Sequence, residues 1–149
     1  MRIAAVLVLT AAIGLSAAQA EPVDAVFQHF GLFGDWAVDC KQAASSANPH
    51  VSVTTPSPGL VLENHDLGGN FAVNKYSMLS AERLSPEQVS VEVIFQPGTE
   101  AEQRQKLVYL VRKDTRRTMF NQPEDGDVRV RDGIVLAFGT KTPVLEKCD

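Results

Sequence analysis

The two cysteines of this 149-residue chain, Cys40 and Cys148, stand at opposite ends of everything that reads as folded structure. In an oxidising compartment an even cysteine count reads as a disulfide. A bridge between these two would make the first and last structured segments neighbours in space. Closing a loop of roughly a hundred residues stabilises a fold by about 4 to 5 kcal/mol on the chain-entropy account, a large share of a domain's net stability. The competing reading, a reactive or metal-binding pair, finds no Cys-x-x-Cys and no third or fourth ligand at useful spacing.

The N-terminal residues supply the oxidising compartment. Met1-Arg2 carries one positive charge, Ile3 to Leu15 is an apolar run, and Ala18-Gln19-Ala20 places small residues before Glu21-Pro22. That order is the order of a secretory signal peptide. Residues 1–20 are expected to be removed, leaving residues 21–149 as a single β-barrel domain in a bacterial periplasm or secreted from the cell. A retained anchor is the alternative, but the apolar run is shorter than the roughly 20 residues a spanning helix needs. No second segment approaches that length, so no stable membrane span is expected after cleavage. No cysteine sits at the cut, which argues against a lipid-modified N-terminus.

Within residues 21–149, Val26, Phe27, Phe30 and Phe33 recur at helical spacing and predict a short N-terminal helix, ended by Gly31 and Gly34. From Trp36 onward the pattern becomes short β-rich runs separated by turn residues. Candidate strands are Trp36 to Lys41, Val51 to Thr55, Leu60 to Glu63, Phe71 to Arg83, Val89 to Phe95, Leu107 to Val111, Arg116 to Asn121, Val128 to Arg131, Ile134 to Phe138 and Val144 to Cys148. The clearest alternation is Val89, Val91, Val93 and Phe95 against Ser90, Glu92 and Ile94. Asp132-Gly133 is the strongest hairpin signal and would pair Arg131 with Ile134.

Eight to ten strands joined by tight turns, with no crossover helix between them, require a mainly antiparallel sheet. Such a sheet has two costly edges unless it closes or folds over itself. The proposed bridge between the first and last strands suits a closed up-and-down barrel. A two-sheet β-sandwich is the alternative. Trp36, Phe71, Tyr76, Phe95, Tyr109, Phe120 and Phe138 fall about one to a strand, as the core of either would have them.

The segment Gly34-Asp35-Trp36, after a short helical piece, resembles the Gly-x-Trp that opens the first strand of lipocalins and related calycin barrels. The resemblance implies a tryptophan closing one end of the barrel, a lumen holding a small apolar ligand, and a basic residue packed across the tryptophan. Arg129, Arg131 and Lys147 are the candidates for that residue. The Gly-Asp-Trp-x-x-x-Cys opening is also similar to that of bacterial invasion-associated locus B proteins, whose further cysteines this chain lacks. Periplasmic lysozyme-inhibitor barrels share its size, export and disulfide.

Candidate chemistry is sparse. Lys and Arg number 14 against 18 Asp and Glu, for a formal charge of −4, and no basic block offsets it, so no nucleic-acid partner is expected. His29, His50 and His65 each fall in or beside a different expected turn and lack metal-ligand spacing. His65, within Asn64-His65-Asp66, reads as an exposed turn histidine. Glu82 and Glu92 could face each other on neighbouring strands as an acid–base pair, although solvated strand faces normally carry such residues. There is no nucleophile elbow and no phosphate loop, and no cofactor or metal is expected.

Arg112, Lys113, Arg116 and Arg117 flank one turn. They read either as charge guarding a hairpin tip or as a landing site for an acidic partner or for anionic lipid or glycan, since arginine forks grip carboxylate and phosphate. Arg129 and Arg131, sharing a face with Ile134 and Leu136, either snorkel to solvent or pair inside a pocket. The sequence thus predicts an exported, non-catalytic binding protein whose small, partly apolar ligand meets Trp36, Arg129 and Arg131. The alternative is an envelope protein-binding or inhibitor module working through the basic hairpin tip.

Overall fold

The computed structural model describes residues 20–149, so the expected signal peptide lies outside the described residues, apart from Ala20. The chain forms α1 (Val23–His29) followed by eleven strands: β1 (Gly34–Ala37), β2 (His50–Ser57), β3 (Leu60–Asp66), β4 (Asn74–Ser85), β5 (Gln88–Phe95), β6 (Gln103–Arg112), β7 (Thr115–Pro123), β8 (Val130–Arg131), β9 (Ile134–Val135), β10 (Thr140–Lys141) and β11 (Leu145–Lys147). Every pairing between these strands is antiparallel.

Strands β1 to β7 form a meander, and β11 enters between β7 and β1 to close it. The result is an eight-stranded up-and-down barrel with β8, β9 and β10 as a side extension. Closure through the β6–β7 pairing sets the sandwich alternative aside.

Strand β7 has different partners along its free side. Its first residues pair with β11, at Thr115 and Arg116, while Asn121 further along pairs with Val130 of β8. Residues 124–144 therefore form an excursion that leaves the ring at β7 and returns to it as β11. Its hairpin turns on Asp132 and Gly133, both at positive φ, as the sequence predicts. Gly133 serves a second purpose, because a Cβ there would lie 2.6 Å from the Arg117 guanidinium, which donates to the Gly133 carbonyl at the same length.

Inward positions follow the two-residue period. Val51, Val53, Val61, Met78, Val89, Val91, Val93, Leu107, Tyr109 and Val111 are all buried in one apolar cluster. Each fully buried side chain of this size contributes roughly 1.5–3 kcal/mol. Phe71 and Phe138 do not belong to that core: they are 63% and 79% exposed. Strand β2 also runs through Pro56, expected to be a turn. The register shifts between Thr54 and Ser57, where an irregularity can accommodate a residue without an N–H. Strand β10 had no alternation to announce it.

One end of the barrel is capped. Val26 and Phe27 of α1 are fully buried in the cluster, and Leu32 follows them. Asp24 accepts from the Gly59 N–H in the β2–β3 turn, and Arg83 beside the β4–β5 turn pairs with Glu21. Trp36 donates from Nε1 to the Leu32 carbonyl at 2.9 Å, which locks the capping segment to the first strand.

Cys40, after β1, and Cys148, after β11, are bridged across 108 residues. Replacing both by serine should lower stability by about 4 to 5 kcal/mol on the chain-entropy account. Urea unfolding of the double variant against the oxidised parent checks this, and an unshifted midpoint would contradict it.

Candidate functional site at the open end of the barrel

Glu63 is the one acidic side chain buried in the core among the described residues. It lies on β3 between inward-facing Val61 and His65, so the pleat itself turns it into the lumen. Arg116 faces it from β7, four strands away around the ring in either direction. The guanidinium grips the carboxylate with both arms, Nη1 to Oε2 at 3.0 Å and Nη2 to Oε1 at 2.9 Å. Side-chain exposure is 3% for Arg116 and zero for Glu63, so the fork spans the dry interior as a strut.

Aromatic rings hold the strut. The Arg116 guanidinium lies 4.3 Å from the Tyr109 ring centre and 5.8 Å from that of Trp36, within cation–π range. Lys147 approaches the Trp36 ring to 5.3 Å and donates to the Gly31 carbonyl. The basic residues beside the tryptophan are thus Arg116 and Lys147, whereas Arg129 and Arg131 sit on the exposed excursion.

His65 extends the network toward solvent. It occupies β3 rather than an exposed turn, its side chain is 21% exposed, and its Nε2 lies 2.5 Å from Glu63 Oε1. The ring packs on Tyr76 at 4.9 Å, and Tyr76 packs on Phe95 at 5.2 Å. Burial by itself would raise the Glu63 carboxyl, but the Arg116 charge and the His65 contact outweigh it and hold it at about 2. The Tyr109 and Tyr76 phenols are pushed up, by burial first and then by the Glu63 charge. Arg116 is raised as well: burial opposes its charge, and Glu63 more than compensates.

Above the strut, toward the open end, lies a cavity of about 290 Å³. Its apolar walls include Val51, Leu67, Leu107, Val130 and Leu145, with Pro49 from the loop after β1. Its polar walls include His65, Tyr76, Arg116, Arg117 and Asn121. Asn121 is 9% exposed and donates to Gln105 at 2.9 Å, but its Oδ1 is buried with no hydrogen-bond partner. Gln105 donates in turn to Gln103, which also accepts from Arg129. Arg129 is thereby tied to the polar chain that runs to the cavity wall. Arg131 is exposed at the hairpin.

The four basic residues of the β6–β7 turn do not form one surface. Arg116 is inside the barrel, which corrects its reading as part of a solvent-facing patch. Alternation along β7 turns it inward. Arg117 is half-buried and latched to Thr142 and Gly133. Only Arg112 and Lys113 are exposed, and Arg112 is already paired with Glu87 at 2.9 Å.

His50 binds the Gln42 carbonyl at 2.9 Å, and His29 is exposed at the end of α1. Glu82 and Glu92 share an outer-surface groove with Lys106. No group of three or more metal-ligating side chains occurs among the described residues. Glu63, His65, Asn121 and the inward turn of Arg116 were missed as site residues. The signal for the first two lay in Val61-Leu62-Glu63-Asn64-His65, where an inward Val61 obliges the second and fourth residues after it to face inward too.

The chain matches no family model, no curated protein and no solved structure. The eight-stranded antiparallel barrel is consistent with a calycin-like fold, and the fold rests on geometry alone.

Because the Glu63 carboxyl falls from 4.5 when unfolded to about 2 when folded, its contribution to stability is complete above about pH 4.5. It is lost as the pH falls through that value toward 2. The amount is on the order of 3 kcal/mol. Glu63→Gln should destabilise the protein by about 3–5 kcal/mol at pH 7, since it leaves a buried guanidinium unpaired, and should flatten this acid limb. Urea unfolding at several pH values reads both effects. A parent stability unchanged between pH 5 and pH 2.5 would contradict the assignment.

Proposed function

We propose that this is an exported, non-catalytic binding protein that takes a small, partly apolar ligand at the open end of its barrel. The observation that carries the reading is the cavity above the Glu63–Arg116 strut. It combines apolar walls with a few convergent polar groups, the usual make-up of a ligand site, and its size falls near the lower limit for such sites. Valine, leucine and tyrosine side chains and the strut fill the lumen below, so the reading favours a compact molecule over a long-chain lipid. The Gly34-Asp35-Trp36 opening, the capping helix and the basic residues on Trp36 support a calycin-like kinship at the level of fold. The leader-like N-terminus and the disulfide support an oxidising destination, periplasmic or secreted. The partner-binding alternative loses its main support, since Arg116 is internal and Arg117 is latched.

Leu67 lies on the loop after β3 and lines the cavity, so bulk can be added there without touching a strand. Solvent extraction of the purified protein, followed by mass spectrometry, should recover a small organic guest. Leu67→Trp should abolish that recovery while leaving the far-ultraviolet circular dichroism spectrum β-rich. Equal recovery from parent and variant would remove the cavity as the site.

A further inference from the structure

The charge of the cavity wall is unbalanced. Arg116 is neutralised from behind by Glu63, which does not itself line the cavity. Arg117 also lines it, but its guanidinium is held by neutral oxygens alone, Thr142 Oγ1 at 3.0 Å and the Gly133 carbonyl at 2.6 Å. No carboxylate stands within ion-pair distance of Arg117 among the described residues, and no aspartate or glutamate lines the cavity. A half-buried guanidinium in a concave site without a counter-charge is a place where an anion is favoured. Its two bonds to neutral oxygens use two of five N–H donors and leave three.

The second observation is independent of charge. The buried Asn121 Oδ1 has no partner, and a buried acceptor left unpaired costs about 1–3 kcal/mol. A ligand bearing a hydrogen-bond donor would recover that cost. Val51, Leu67, Leu107, Val130 and Leu145 supply an apolar part of the wall. Beside them stand the uncharged polar side chains of Ser46, Tyr76, Thr118 and Thr142 and the ring of His65. From these features we infer that the cavity selects a small organic monocarboxylate with an apolar body and a donor group, such as a hydroxy acid, an inference that rests on the ligand-binding reading above. One uncompensated cation matches one negative charge. A phosphate dianion would bring a second negative charge into a partly apolar cavity that offers no second free cation.

The full exported chain is titrated calorimetrically at pH 7 with 2-hydroxyhexanoate and hexanoate, with the neutral hexanamide, and with inorganic phosphate. The hydroxy acid should bind best, hexanoate more weakly, the amide at least about tenfold more weakly than hexanoate, and phosphate should not compete. Arg117→Gln should erase the preference for acid over amide. That variant also loses the latch to Gly133 and can fail to fold. Asn121→Asp therefore supplies a second arm, in which the added negative charge should abolish carboxylate binding while weakening hexanamide binding far less.

Hexanamide binding as tightly as hexanoate would overturn the anion assignment while leaving a working cavity, and phosphate competing at equal concentration would overturn the monocarboxylate. Silence from every probe overturns the inference as well. A neutral guest in the solvent extract would then keep the binding reading alive, whereas an empty extract would end both.

Discussion

The Glu63–Arg116 fork organises the barrel because it joins opposite walls through the dry interior. Two charges taken from water lose several kcal/mol of hydration each, and their attraction restores this only where the geometry is good and the remaining hydrogen-bonding capacity is met. Here both arms of the guanidinium are engaged, two aromatic rings lie against it, and His65 and Tyr109 approach the carboxylate. The fork thus fixes which faces of β3 and β7 point inward. A one-residue slip of either strand would send its charge outside and strand the other. A valine pair could fill the same space and could not enforce the same register.

The strut also divides the lumen. On the helix side, Phe27, Leu32 and the valines leave a closed apolar core. On the other side, the walls become mixed and the space opens. The closed apolar core and the open cavity therefore occupy different halves of one barrel and share a boundary at Arg116 and His65. Apolar packing sets the shape of the upper chamber from below, while the excursion of residues 124–144 sets it from the side through Val130 and Thr142.

Much of this was legible in the sequence. Alternation at Val89, Val91 and Val93, the Asp132-Gly133 hairpin and the absence of crossover helices led to an antiparallel barrel with its ends drawn together. The site was less legible, for a physical reason. Charged residues on strands normally face water, so Glu63, Arg116 and His65 read as surface until the partner strand is known. Arg116 and Glu63 are 53 residues apart, and no local pattern reports a pairing across a lumen. The aromatic residues misled in the opposite sense: Phe71 and Phe138 lie on segments that never join the ring and have no interior to enter.

The ring is not equally strong around its circumference. Strand β11 meets β1 through Trp36–Lys147 and Ala37–Glu146, and meets β7 through Leu145–Arg116 and Glu146–Thr115. The β4–β5 and β5–β6 ladders run the length of their strands. A short stave between two long ones is where a cask leaks. Spontaneous parting would concentrate there, beside Arg116 and under the rim of the chamber. The sulfur bridge from Cys148 to Cys40 rivets that stave on its β1 side, so oxidation bears on how often the wall gapes as well as on how stable the whole vessel is.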